Sequence, residues 1–178
     1  MGDFFFGITE WLRETWLLDA AFWMQETAIS KVLVENFWGV PFAQVAHIIS
    51  IAVAFGATLM LTLRVNGKVA TNLTIQQVEA RYVRWIWWTL VAIVISGLLM
   101  LFAEPVRNMI NSIFWAKMLA LLAMVIVSLM FQRSVLAQAN AAGPGWTASG
   151  GTKAISWIVI ILWCLTMAGG RWIAYSPV

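Results

Sequence analysis

The sequence predicts an all-α membrane protein: a four-transmembrane-helix bundle with an N-terminal amphipathic interfacial segment. Three observations lead there. Hydrophobic residues make up 62% of the 178-residue chain and charged residues 11%. A soluble domain carries about 25% charged residues, so too few charges remain here to cover a water-facing surface. Four stretches each supply about 20 mostly apolar residues, enough to cross a bilayer as a helix. The start of the chain differs in kind, mixing aromatics with acids at helical spacing.

Residues 1–36 form that first segment, with "FFFGITEWLRETWLLDAAFWMQ" at its centre. Ile8, Trp11, Leu12 and Trp16 recur at helical spacing, as do Ile29, Val32 and Leu33. This pattern predicts one or two amphipathic helices lying along the membrane surface, or packed on the end of the bundle. No basic start precedes an apolar core and a small-residue cleavage site, so a signal peptide is not expected.

Residues 37–178 form the transmembrane domain, with spans at about 40–63, 85–103, 113–131 and 154–173. Pro41 suits the first turn of the first span, where a missing N–H costs little. Pro105 helps to end the second. The polar linker 64–84 is expected to hold a short helix over 74–82. The linker "QANAAGPGWTASGG" (138–151) reads as a flexible Gly/Ala/Ser loop.

Twelve Trp residues, many near the ends of apolar runs, serve as interfacial anchors. With short loops, the lateral faces are the main contact surface. The expected partners are therefore the lipid bilayer and either a homo-oligomer or other membrane subunits. No basic cluster points to nucleic acid, and Cys164 alone cannot form a disulfide within the chain. Arg64, Lys68, Arg81, Arg84, Arg133 and Lys153 flank one side of the spans, and Arg13, Lys31, Arg107 and Arg171 the other. By the positive-inside rule the first set faces the cytoplasm. Both termini then lie on the periplasmic side of a bacterial inner (cytoplasmic) membrane.

The one histidine, His47, lies in the run "FAQVAHIISIAVAFG". It is about 10 Å into the first span, at 1.5 Å per residue from Val40. Counting the same depth on the other spans gives Ser96 and Gly97, Ala120 and Leu121, and Thr166 and Met167. Gln44, His47, Ser50, Ala54 and Thr58 make a small, polar stripe, the kind of face that turns toward other helices. Nearer the membrane surface sit Lys117 and Arg171, and intramembrane charges are functional candidates.

Several readings of this layer stay open. His47 can be an axial ligand to a b-type haem, with Met167 as second ligand, Lys117 and Arg171 near the propionates, and Gly97 giving a flat ring room. With one His per chain, bis-His ligation would need a second subunit. Alternatively His47 and Met167 bind copper, which suits imidazole and thioether. In a structural reading His47 hydrogen-bonds Gln44, a serine or another helix, and Lys117 pairs with Glu104. The bundle is then a non-catalytic scaffold or partner subunit of a membrane complex. A quinone or small-solute site lined by Trp is the remaining reading. Gly169-Gly170 reads as a close-packing feature. No Ser/His/Asp set, paired intramembrane carboxylates, H-E-x-x-H or phosphate-binding Gly loop occurs. No catalytic residue is assigned, and enzyme activity is not expected of the chain on its own.

The segments "VENFWGVPFAQVAHIISIAVAFGATLMLTLRVNG", "FWAKMLALLAMVI" and "ISWIVIILWCLTMAGGRWIAY" resemble an uncharacterised family of small four-span bacterial inner membrane proteins. More remotely they are similar to the membrane domain of copper-resistance D-type proteins. The resemblance covers about residues 35–175 and points to His47, Arg64, Gly67, Lys117, Gly170, Arg171 and Tyr175. The exit "TLRVNG" departs from the family's pattern, since Leu63 and Thr62 stand where an acidic residue precedes the arginine. The resemblance implies the fold and these positions, and it implies no reaction.

Overall fold

The computed structural model describes residues 2–175, which contain helices and turns and no strand. The N-terminal segment forms three helices, one more than the largest number expected: α1 (Gly2–Arg13), α2 (Trp16–Glu26) and α3 (Ala28–Glu35). The breaks fall at Thr15 and Thr27, both in extended backbone. Each hydroxyl caps the helix that follows, Thr15 accepting from the Leu17 N–H and Thr27 from the Ser30 N–H. Such caps satisfy backbone donors that a new helix leaves unpaired. Periodicity alone hides these joints, because the apolar spacing continues across them.

Four long helices follow: α4 (Gly39–Val65), α5 (Ile75–Ala103), α7 (Ser112–Ala142) and α8 (Gly150–Trp172), with the short α6 (Pro105–Met109) between α5 and α7. They contain 27, 29, 31 and 23 residues. At 1.5 Å per residue all four exceed the roughly 30 Å hydrocarbon core. The chain is thus an all-α four-helix bundle of a multi-pass membrane protein.

Two linkers are more helical than expected. Residues 74–82 do not form a separate short helix, because α5 runs unbroken from Ile75. Much of the expected loop 138–151 is the end of α7, then a 3-10 turn at Gly143–Gly145, then the start of α8. Polar side chains lower hydropathy there, but water solvates them and the backbone ladder continues. Pro105 acts as expected: α5 ends at Ala103, and Pro105 opens α6.

The inward positions of the long helices mix small and weakly polar residues, such as Ala54, Thr62, Ser96 and Ser156, with larger apolar ones such as Leu61, Ile93, Phe131 and Trp163. Large apolar residues such as Ile48, Leu119, Leu122, Met130 and Leu165 face outward. Helices in lipid associate by close packing through small residues, while large apolar groups are solvated equally well by lipid tails.

The described residues fall into two compact units. One takes its residues from Met1–Ile49, Ala92–Leu119 and Thr166–Val178, the other from Ser50–Val91 and Ala120–Leu165. In the second unit Asn66 donates to Thr62 O (2.8 Å) and Ser156 Oγ (3.0 Å). Phe55 meets Trp163 edge-on, with centroids 6.4 Å apart. α4 ends in a Schellman motif: Lys68 N–H donates to Leu63 O, Gly67 N–H donates to Arg64 O, and Gly67 takes φ +70°. That left-handed position favours glycine. The Arg64 guanidinium then donates twice to Leu73 O, at 3.0 and 2.6 Å.

In the first unit α2 packs against α6. Thr9 Oγ1 donates to Ser112 Oγ (3.2 Å), whose own hydroxyl donates to Phe5 O (3.0 Å), tying α1 to the start of α7. Asn111 caps α7 by accepting from the Ile113 N–H (2.9 Å). The corner into α4 is tighter still. A Cβ on Gly39 would lie 2.7 Å from the Leu33 carbonyl oxygen, a backbone atom that cannot swing aside. Gly39→Ala is therefore expected to cost about 1–3 kcal/mol through overpacking. Gly56, with nothing within 4 Å of the added carbon, should become Ala at no loss. Thermal unfolding of both variants in one detergent checks this, and equal midpoints would refute the tight corner.

Candidate functional site

His47 lies on α4, half-buried, with its Nδ1 2.9 Å from Ser96 Oγ on α5. The serine decides the tautomer. Its hydroxyl carries one proton and lies 2.6 Å from Ala92 O, an acceptor only. The proton goes there, so Ser96 Oγ accepts from His47 Nδ1–H. Neutral His47 thus presents Nε2 as an unprotonated lone pair. Gly97 lies against the same ring: a Cβ there would stand 3.4 Å from His47 Cε1. The space that Gly97 leaves is filled by the imidazole itself.

Lys117, in the second turn of α7, lies along the Gly169-Gly170 pair of α8. A Cβ on Gly169 would meet Lys117 Cβ at 3.4 Å, and one on Gly170 would stand 3.9 Å from Nζ. The diglycine is a close-packing feature, and what it packs against is the lysine stem. The ammonium lies 6.0 Å from the Phe114 centroid, at the outer limit of a cation–π contact. Among the described residues it has no ion-pair partner.

The expected Lys117–Glu104 pair does not form. Glu104 Oε2 instead accepts from Arg107 Nη1 at 2.9 Å. The two are three residues apart in one turn of chain, and that local pairing wins over reaching across to α7.

Lys117 opens onto a cavity of about 200 Å³. Gln44, Gly97, Glu104, Arg107 and Asn108 share its wall with apolar groups from α4, α5 and α7. Arg171 is not part of it. Its guanidinium is exposed, donates to Tyr175 Oη at 2.9 Å and lies 5.1 Å from that ring's centroid. Arg107, not Arg171, is the second cation at the Lys117 cavity. Met167 is half-buried on α8 and does not line the cavity. Nor do the described residues bring three His, Cys, Asp or Glu side chains together as a metal site.

Sequence reasoning set Arg107 and Glu104 in the charged layer at the end of the second span but gave them no cavity, and it missed Asn108. Arg107 and Asn108 look like loop residues, but Pro105 opens a short helix that carries both. Pro105 was the available signal, since proline is favoured at the first position of a helix.

Residues 21–176 match a family of unknown function (DUF6644). The chain belongs to that family. The match takes in His47, Lys117 and the diglycine. It begins within α2, so the family also covers part of the amphipathic segment. No curated protein and no solved structure matches the chain.

The His47–Ser96 bond makes a measurable claim. A double-mutant cycle with His47→Phe and Ser96→Ala should give a coupling of about 0.6 kcal/mol, and not more than about 1.7, the range found for interhelical hydrogen bonds in membranes. Reversible unfolding in bicelles reads it out. Zero coupling would mean that the serine bonds only its own helix.

Proposed function

We propose that the chain is a non-catalytic binding subunit of a membrane complex, holding a small solute in the cavity between Gln44, Gly97 and Lys117. One observation carries this reading. Lys117 places a charge among apolar helices, faces open space, and has no acid partner among the described residues. An intramembrane charge is costly and is ordinarily kept for a ligand or a pathway. The cavity, at about 200 Å³, lies below the roughly 300 Å³ at which pockets for drug-sized ligands begin. It suits a solute of a few heavy atoms.

In this reading the chain sits in a bacterial inner membrane and associates through its lateral faces with a second copy or other subunits. The cation distribution supports the orientation, with both termini periplasmic. A haem reading has one observation in its favour: Ser96 holds His47 Nδ1–H and leaves Nε2 free, the arrangement by which metal-ligating histidines are oriented. With one histidine per chain, bis-His ligation of that haem would take a second subunit. A Soret band in the purified protein, lost in His47→Ala, selects that reading. Copper without haem selects copper at His47.

The binding reading is tested by thermal unfolding in phosphatidylcholine nanodiscs with butyrate, 1-butanol and butylammonium. At 100 times its dissociation constant a solute adds about 2.7 kcal/mol, which is roughly 5–10 °C for a chain of this size. At least one solute should raise the midpoint of the wild type, and Ala103→Leu, which fills the cavity wall, should abolish the shift. No shift with any of the three, or equal shifts in the variant, would remove the binding reading.

A further inference from the structure

We infer that the cavity at Lys117 selects an amphipathic monoanion: a single negatively charged oxygen group on a short apolar tail, gripped by the Lys117 ammonium and the Gln44 amide. The inference rests on the binding reading above and names the class of its ligand.

The charges around the cavity decide the sign. Among the described residues, two cations, Lys117 and Arg107, and one carboxylate, Glu104, line it. Glu104 and Arg107 neutralise each other through their 2.9 Å pair. One positive charge is left, on Lys117. A cationic ligand would meet that charge unopposed, and a dianion would have one cation available for two charges. A monoanion matches it.

The donors decide the head group. One N–H of the Asn108 amide is already engaged, donating to Glu104 O at 2.8 Å. The Gln44 side chain makes no hydrogen bond to another described residue, and it lines the same cavity as Lys117. An acceptor-only group such as a carboxylate or a phosphodiester uses both donors at once. Hydrogen bonds between ionised partners are about twice as strong as neutral ones.

The remaining wall decides the tail. Val40, Met100, Leu101, Phe114 and Ile173 supply apolar surface around the polar groups. An inorganic anion would leave that surface uncovered, whereas an alkyl chain of a few carbons covers it. The diglycine lies along the lysine stem: a Cβ on Gly169 would stand 3.4 Å from Lys117 Cβ, at ordinary contact distance.

A head group of this chemistry has two sources: a soluble short-chain acid, or an anionic lipid entering sideways from the bilayer. Saturation-transfer NMR in nanodiscs separates them. In pure phosphatidylcholine discs, butyrate should bind at least about ten-fold tighter than 1-butanol or butylammonium, given the strength of charge-assisted bonds. Lys117→Met should abolish that preference, and Lys117→Arg should keep most of it. Arg171→Gln, outside the cavity, should change nothing. Discs containing phosphatidylglycerol should compete with butyrate if the natural head group is a lipid's, and leave it unchanged if the ligand is soluble. Stronger binding of 1-butanol or butylammonium than of butyrate would overturn the monoanion and leave the binding site standing. Butyrate binding that survives Lys117→Met at full strength would overturn the role of the lysine. No binding of any of the three would remove the site itself.

Discussion

Hydrocarbon does not hydrogen-bond, and the architecture depends on that constraint. Each backbone N–H and C=O within the bilayer must be paired inside the segment that carries it. Polar side chains on the long helices meet the same demand. Thr58 donates to Ala54 O, Thr89 to Trp85 O and Ser96 to Ala92 O, each one turn back along its own helix. A hydroxyl satisfied in this way still has an acceptor free. At Ser96 that acceptor is what His47 uses. The His47 tautomer is therefore set by a rule of the solvent, acting through a serine.

The same constraint makes Lys117 unusual. Its neighbours Phe114, Gly169 and Gly170 accommodate the stem and offer the ammonium no carboxylate. Among the described residues, the one acid at the cavity is held by Arg107. Two features that look independent in the chain, a pair of glycines near the end of α8 and a lysine near the start of α7, are one device. The glycines supply the width that the lysine occupies.

Much of the fold was legible because hydropathy and length speak to the bilayer directly. The four apolar runs stand out, and so does the proline that ends α5. The depth count also set Ser96 and Gly97 level with His47, and both touch the ring. What escaped was whatever lies outside the hydrocarbon. Arg133 and Gln138 end the apolar run on α7, but water lets the helix continue to Ala142. Thr15 and Thr27 divide the amphipathic segment by capping, which leaves no trace in its periodicity. The cavity was legible only in part. Lys117 was singled out by its charge, whereas Arg107 and Asn108 reach it through a turn that depth counting along straight helices cannot represent. Pairing Lys117 with Arg171 failed for a local reason: Tyr175 lies one turn from Arg171 and takes its guanidinium.

Arg64 bears on how α4 is held along its own axis. Its guanidinium is bound twice to the carbonyl of Leu73, across the corner that Gly67 opens. Hydropathy alone would let a 27-residue helix slide by a few ångströms through a bilayer of similar thickness at little cost. Drawing Arg64 inward would first require tearing its charge from that carbonyl and unwinding the corner. The α4–α5 corner therefore resists displacement of this end of α4 in one direction only.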